Sequence, residues 1–366
     1  METDVLIIGA GPAGLNSAYE IASNGVQTVI VDESFFPGGQ LKQQTQYFNN
    51  LPRQFEAQRG ITLAETLANR LHSLPVTMLH KHTMIGVYKD GSIGVSNGES
   101  TFPIKAKKVI VTTGAAEETC LFPGWTLPGV MTVGAAQILM NRERVLPGKN
   151  AIILGCNSFS QEVAQQLKDC GVNILGIIEK NTSLGRESRE RLHSDIPLLL
   201  NSYITRAMGR GEVEKVFINH NGSEQEWRAD LICIGNGLSP ILEPFEILDC
   251  SFTNKEKLGG LLPGYDSNFK TENSSVYVAG NAAGITCMGG VLLTAEIAAA
   301  DVLRHLGVLN REDAARQTTY LWKELLRIET QTDSEVFYAR VASIQEFHEK
   351  NNIPLPTSFH AILEEC

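Results

Sequence analysis

Asp4-Val5-Leu6-Ile7-Ile8-Gly9-Ala10-Gly11-Pro12-Ala13-Gly14 is the stretch that decides the fold. A short apolar run ending in glycine suits a parallel strand covered on both faces. Small residues at Ala13, Ser17 and Ala18 follow at helical spacing, Gly25 breaks the helix, and Thr28 to Val31 forms a β-branched strand ending at Asp32-Glu33. The order is strand, G-x-G-x-x-G, helix, strand, acid, with Asp32 23 residues beyond Gly9. In such a motif Gly9 permits the tight turn, Gly11 lets backbone N–H groups approach a pyrophosphate, and Gly14 lets helix and strand pack closely. The helix that begins at Pro12 and Ala13 turns its positive end toward the anion. Asp32 is placed to accept from ribose hydroxyls, with Glu33 as the alternate. A glycine motif alone is weak evidence; the full strand–turn–helix–strand context makes this a dinucleotide site.

Working outward, Thr83 to Val95 reads as strands around the Asp90-Gly91 turn, and Asn97-Gly98 turns the chain again before Thr101 to Ile104. A further strand starts at Lys108 and runs into Thr112-Thr113-Gly114. The second half repeats the order. Asn150 to Gly155 is a strand, and Gln161 to Cys170 is helical, with Val163, Ala164 and Leu167 on one face. Ile174 to Ile178 is a strand ending in Glu179, Val213 to Trp227 is strand-rich around Asn221-Gly222, and Leu231 to Gly235 closes the unit. The expected architecture is α/β, with two Rossmann-like domains, the second inserted in the first. Residues 1–118 and 241–308 would form the first domain, 119–240 the second, and 309–366 a helical tail. In that tail Tyr320, Leu321 and Leu325 fit one helix face and Phe337, Val341 and Ile344 another, before Pro354 and Pro356. Packing back onto the first domain is expected of such faces, and a partner surface is the alternative.

The second fingerprint reads Gly155-Cys156-Asn157-Ser158-Phe159-Ser160 and keeps only its first glycine. Side chains at Asn157 and Ser160 would crowd a pyrophosphate and loosen the helix–strand contact. Whether this fold holds NAD(P)H, another adenine nucleotide or nothing stays open. Glu179 would repel a 2′-phosphate, so NAD fits better than NADP.

Composition narrows the function. The 366 residues carry 31 Lys+Arg against 41 Asp+Glu, a net charge of −10, which argues against nucleic acid or an anionic membrane as partner. The first residues lack a signal peptide's basic start, and Ala282 to Ala295, followed by Glu296, is too short to span a bilayer. A cytoplasmic protein without a membrane span is expected. The seven cysteines include no CxxC pair and read as reduced and buried; no metal site is expected. His80 and His82 alternate as on one strand face, without a third ligand.

Three further stretches carry a resemblance. Phe36-Pro37-Gly38-Gly39-Gln40, Val109 to Gly114 and Ser275-Val276-Tyr277-Val278-Ala279-Gly280-Asn281 resemble the flavin-side motifs of the pyridine nucleotide-disulfide oxidoreductases. Phe122-Pro123-Gly124-Trp125-Thr126-Leu127-Pro128-Gly129-Val130-Met131 and Ile234-Gly235-Asn236-Gly237-Leu238-Ser239-Pro240 are similar to the A-type subunits of opine oxidase, hydrogen cyanide synthase, proline or hydroxyproline dehydrogenase, and sarcosine oxidase. The resemblance implies an FAD-dependent oxidoreductase acting with a small amino or imino acid, beside a second flavoprotein subunit or as a homo-oligomer. It implies that Gly9, Gly11, Pro12, Ala13 and Gly14 hold the FAD pyrophosphate and Asp32 or Glu33 the ribose. Gly38, Gly39, Gln40, Thr113 and Gly114 would border the cofactor, with Gln40 near the isoalloxazine and Gly280-Asn281 at the ribityl chain. Asn281 stands where an aspartate is usual. The helix after Gly289-Gly290 would point its positive end at the flavin. Without a CxxC near Gly39 or between Leu121 and Gly155, disulfide reduction is not expected. Only Cys366 follows Cys287, so the iron–sulfur module of many A-type subunits is not expected either. No residue stands out as a general base. Two alternatives remain: a stand-alone NAD(P)H-dependent reductase of a small acceptor, and a subunit that holds FAD only structurally.

Overall fold

The apolar run near the N-terminus is strand β1 (Glu2–Ile8), on which Val5, Leu6 and Ile7 are fully buried. Helix α1 (Pro12–Ala22) and β2 (Thr28–Asp32) follow, then α2 (Gly60–Asn69), β3 (Val76–His80), β4 (Thr83–Val87), β5 (Ile93–Ser96) and β6 (Thr101–Val111). The burial of β1 comes from its central place. It runs parallel to β2 and β6, with Ile8 opposite Val31 on one side and Val111 on the other. The sheet order is β3-β2-β1-β6-β5-β4. The protein is seen in a computed structural model that describes residues 1–185, 189 and 195–363. Its chain divides into two units, Met1–Ala116 with Ser239–Cys366, and Glu117–Leu238.

Two local expectations change here. Thr101 to Val111 is one strand rather than two. Its Lys105 and Lys107 alternate outward between less exposed neighbours, as a period of two requires, so the charges do not interrupt it. Its first half pairs antiparallel with β5 and its second half parallel with β1. His80 and His82 do not share a strand. His80 ends β3, Lys81 turns the chain at φ 58°, and the His82 ring nitrogen Nδ1 lies 2.6 Å from the His80 carbonyl.

The second unit holds β7 (Val130–Thr132), α3 (Val133–Asn141), β8 (Asn150–Leu154), α4 (Ser158–Asp169), β9 (Asn173–Ile178) and β10 (Leu198–Leu199). A three-stranded antiparallel sheet follows: β11 (Ser202–Met208), β12 (Lys215–His220) and β13 (Ser223–Trp227), its last turn made at Asn221 and Gly222 with positive φ. Strand β14 (Leu231–Ile234) then enters between β7 and β8 in the parallel order β7-β14-β8-β9-β10. Val163, Ala164 and Leu167 of α4 are fully buried beneath it.

Returning to the first unit, β15 (Val276–Val278) pairs with β6, and α5 (Met288–His305) packs along α1. The tail is α6 (Arg311–Lys350) and α7 (Thr357–Leu363). Asp333 leaves helical geometry, and its carboxylate accepts from the Glu335 N–H, so α6 is two helices meeting at a cap. Leu325, Ile328, Phe337 and Ile344 are fully buried in the same core as β1 and α5. The tail packs back on the first unit. Tyr320, however, is half exposed, and Trp322 is buried instead, its indole N–H donating to the Ser267 carbonyl at 2.9 Å. Tyr320 sits about 100° around the helix from Leu321 and cannot share the centre of its face.

Candidate functional site

Both halves build the same backbone frame at the end of their first strand. Gly9 N–H donates to the Val31 carbonyl at 2.8 Å, as Gly155 does to Ile178 at 2.8 Å. Ala10 N–H donates to Asp32 Oδ2 at 2.6 Å, and Cys156 N–H to Glu179 Oε2 at 2.9 Å. The other carboxylate oxygens accept from Ser34 and Asn181. The acids named from spacing thus brace the glycine turn first. Asp32 stays half-buried and Glu33 is exposed, beside a shallow cleft lined by Lys81, Thr83, Ser96 and Asn97.

In the first unit the turn is open. Gly11 is the N-cap of α1, no side chain caps the helix, and a Cβ on Gly11 would meet no atom within 4 Å. A Cβ on Gly14 would lie 1.9 Å from the Gly9 carbonyl oxygen, so only glycine permits this approach. Thr112 Oγ1 seals the contact by donating to the Gly9 carbonyl at 2.9 Å. The Gly38-Gly39 loop lies against the same turn: Gly38 N–H donates to the Ala10 carbonyl at 2.8 Å, and a Cβ on Gly39 would stand 3.0 Å from Gly11 Cα. Gly280 closes another side, where a Cβ would be 2.7 Å from that of Ala13. Gln40 is exposed and donates to the Ala115 carbonyl at 3.2 Å, close in sequence to Thr113 and Gly114. The Thr113 hydroxyl is buried without a partner, a group left for something else to satisfy. Pro12 occupies the first turn of α1, where its missing N–H costs nothing. An open helix N-terminus ringed by backbone and glycine fits a pyrophosphate.

Asn281 Oδ1 accepts from the Thr286 N–H at 3.1 Å, which fixes the orientation of the amide. Thr286 Oγ1 donates in turn to Glu329 Oε1 at 2.6 Å, and Glu329 pairs at 2.9 Å with Arg340. Both members of that pair are essentially fully buried. Burial works against the Arg340 charge; the Glu329 carboxylate and Tyr265 outweigh it and raise the guanidinium pKa. Arg340 also donates to the Ala283 carbonyl at 2.8 Å. Two helices of the tail therefore hold the segment between Gly280 and α5. Spacing gave no hint of Glu329, but Arg340 stands within the Phe337–Val341–Ile344 stripe, an anomaly readable from sequence. Cys287, the N-cap of α5, has its thiol pushed up by burial and by Glu329.

One turn into α1, Asn16 and Gln54 both donate to Glu296 Oε1, at 3.0 and 2.6 Å. Burial pushes the Glu296 carboxyl up to about 7; the Asn16 bond and Arg70 oppose the shift, and Glu20 adds to it.

The second unit is closed at the equivalent place. Asn157 caps α4 with its own side chain, accepting from Ser160 N–H at 2.9 Å, and its amide donates to the Gly235 carbonyl at 2.8 Å. Ser160 does not loosen the helix–strand contact as expected. It is fully buried, and a Cβ on Gly235 would fall 2.0 Å from its hydroxyl oxygen, so the strand supplies the glycine that the helix lacks.

The six described cysteines are free. Burial pushes Cys156 and Cys250 up to about 11 and Cys233 to about 12, whereas Cys170 is exposed, contrary to a uniformly buried set. Cys366 lies outside the described residues. Among the described residues no three His, Cys, Asp or Glu side chains group to hold a metal, and no helix is long and apolar enough to cross a membrane.

The A-type subunit of opine oxidase from Agrobacterium tumefaciens (strain Ach5) is 26% identical over 341 residues, covering 85% of this chain and 67% of its own length. The alpha subunit of sarcosine oxidase from Rhizobium meliloti (strain 1021) is 26% identical over 348 residues, 87% of this chain but 33% of that protein. This chain thus spans about two thirds of the first relative and a third of the second. The crystal structure of L-proline dehydrogenase from P. horikoshii shares the fold, with a TM-score of 0.72 at 22% identity over 89% of this chain and 59% of that one. The two-Rossmann-domain architecture is therefore that of a flavin oxidoreductase fold. The model of the pyridine nucleotide-disulphide oxidoreductases matches residues 3–301, taking in the open turn, the whole second unit and the Gly280 segment, and stopping short of the helical tail. The chain belongs to that family.

Proposed function

We propose that this chain is the FAD-binding subunit of an enzyme that oxidises an amino or imino acid. It is an FAD-dependent oxidoreductase without a CxxC disulfide site. The observation that carries this reading is the open N-terminus of α1, ringed by Gly9, Gly38-Gly39 and Gly280, together with the unpartnered hydroxyl of Thr113 beside Gly114. The opine and sarcosine oxidase relatives support the substrate class.

Bound FAD supplies two-electron redox chemistry. Backbone N–H groups at Gly11, Ala13 and Gly14 would hold its pyrophosphate, and Asp32 or Glu33 its ribose. Gly38, Gly39, Gln40, Thr113 and Gly114 would line it, and Asn281 would donate from its amide where an aspartate would accept. The N-terminus of α5, capped by no side chain, would turn its positive end toward the bound cofactor and favour negative charge there. A second flavoprotein subunit or a second copy of the chain completes the enzyme, in the cytoplasm.

The test is the absorbance spectrum and mass of whatever cofactor copurifies, followed by anaerobic mixing with amino and imino acids beside the reconstituted partner. FAD that is reduced only with the partner present supports the reading. A colourless protein that cannot be reconstituted with FAD refutes it.

A further inference from the structure

The two units allow a controlled comparison, because their backbones share one hydrogen-bonded frame. Gly9 and Gly155 bond alike to the second strand, and Thr112 and Gly235 donate alike to Ile8 and Leu154, at 2.8 and 2.7 Å. What differs is the third position of the motif. At Gly11 there is no side chain, no cap, and free space where a Cβ would point. At Asn157 the amide fills the cap, and each of its polar atoms is engaged. Oδ1 accepts from Ser160 N–H at 2.9 Å and Ser160 Oγ at 3.0 Å, and Nδ2 donates to the Gly235 carbonyl at 2.8 Å. A pyrophosphate needs the orphan N–H groups of a helix start and close access to them. Here one of those N–H groups is taken, and the amide stands in the approach.

The sixth position does not share in the block. Ser160 is fully buried against Gly235, so it keeps the helix close to its strand and away from the ligand side. Nor does the acid, since Glu179 braces its turn just as Asp32 does. The obstruction is one residue.

We propose that the second Rossmann fold is closed to dinucleotides by Asn157, which sits as a built-in cap where the pyrophosphate would bind, so that a nicotinamide nucleotide does not deliver electrons to this chain. The inference stands on the second unit alone and does not depend on what the first unit holds.

The test uses the purified full chain with whatever cofactor it carries. Calorimetric titration with NADH, NADPH and ADP-ribose, each to about 1 mM, is expected to give no saturable heat, and stoichiometric anaerobic NADH is expected to leave any flavin absorbance unchanged. Saturable binding in the micromolar range, or prompt bleaching by NADH, overturns the proposal. The variant Asn157→Gly, alone and with Ser160→Ala, is expected to gain ADP-ribose binding at least ~10-fold tighter than the parent. Asn157→Asp, which still caps the helix, is not. If the glycine variants melt cooperatively like the parent yet bind no tighter, Asn157 is not the block and the proposal fails. In a colourless protein the open first turn can itself take ADP-ribose, so there the titrations are repeated in Gly11→Ala. Heat lost with that substitution belongs to the first unit, whereas heat kept by it belongs to the second and overturns the proposal. Loss of the FAD reading thus leaves this result interpretable.

Discussion

Glu296→Gln should stabilise the protein, and only on the alkaline side. Glu296 lies between α1 and α5, accepting from Asn16 and Gln54 through a single oxygen. Burial raises its carboxyl from 4.5 to about 7. The unfolded chain loses this proton near 4.5, whereas the folded chain keeps it until about 7, so the folded state binds the extra proton between those values. Stability therefore falls as pH rises through that window, and the full penalty stands above 7. At 1.36 kcal/mol per unit the penalty reaches about 3 kcal/mol. The amide of glutamine can keep both incoming hydrogen bonds through its oxygen and carries no charge to desolvate. Its NH2 needs a partner of its own, so the net gain should be ~1–3 kcal/mol at pH 8.5, equivalent to several degrees in melting temperature. Below pH 4.5 the gain should vanish. Thermal and urea unfolding of parent and variant between pH 4.5 and 8.5 measure this directly. A stability difference that does not change across that range, or a variant weaker at pH 8.5, refutes the reasoning.

The first-unit glycines should separate fold from binding. Gly14→Ala forces a Cβ to 1.9 Å from a carbonyl oxygen and should cost several kcal/mol of stability by chemical unfolding. Gly11→Ala meets nothing, so apoprotein stability should move by less than about 1 kcal/mol while FAD affinity, read by fluorescence titration, falls at least ~10-fold. Thr113→Val removes a buried hydroxyl that has no partner. Apoprotein stability should hold or rise, and FAD should bind about 5- to 10-fold more weakly, a lost hydrogen bond of about 1 kcal/mol. Unchanged FAD affinity in Thr113→Val would show that the hydroxyl faces no ligand. Arg340→Met leaves Glu329 buried and uncompensated and should destabilise by about 3–5 kcal/mol, whereas Arg340→Met with Glu329→Gln should recover part of that loss in the same unfolding assay.

The residues fall into two groups by how far apart their partners lie. The turn from Gly9 to Gly14, the acids Asp32 and Glu179, and the strands on either side are legible because each rule acts within one strand–helix–strand unit. The closures are not legible, because they join residues far apart: Gly280 against Ala13, Gly289 against Asn50 and Ile328, and Arg340 on the Ala283 carbonyl. No local period announces such contacts. The tail shows both cases at once. Leu321, Leu325, Phe337 and Ile344 repeat at helical spacing and are buried, while the break at Asp333 follows from one carboxylate accepting from Glu335.

Glycine motifs are half of a pairwise statement about packing. In the first unit the helix contributes Gly14 and the strand end contributes Thr112, whose hydroxyl donates to the Gly9 carbonyl. In the second unit the helix contributes Ser160, whose hydroxyl reaches the Gly235 carbonyl at 3.3 Å, and the strand end contributes the glycine. The same close approach is reached with donor and glycine exchanged. A missing glycine at the sixth position therefore says nothing about nucleotide binding until the facing strand has been read. The third position has no such partner, because what faces it is the ligand. Of the two departures in the second fingerprint, Ser160 is a packing choice and Asn157 is a change in what the fold can bind.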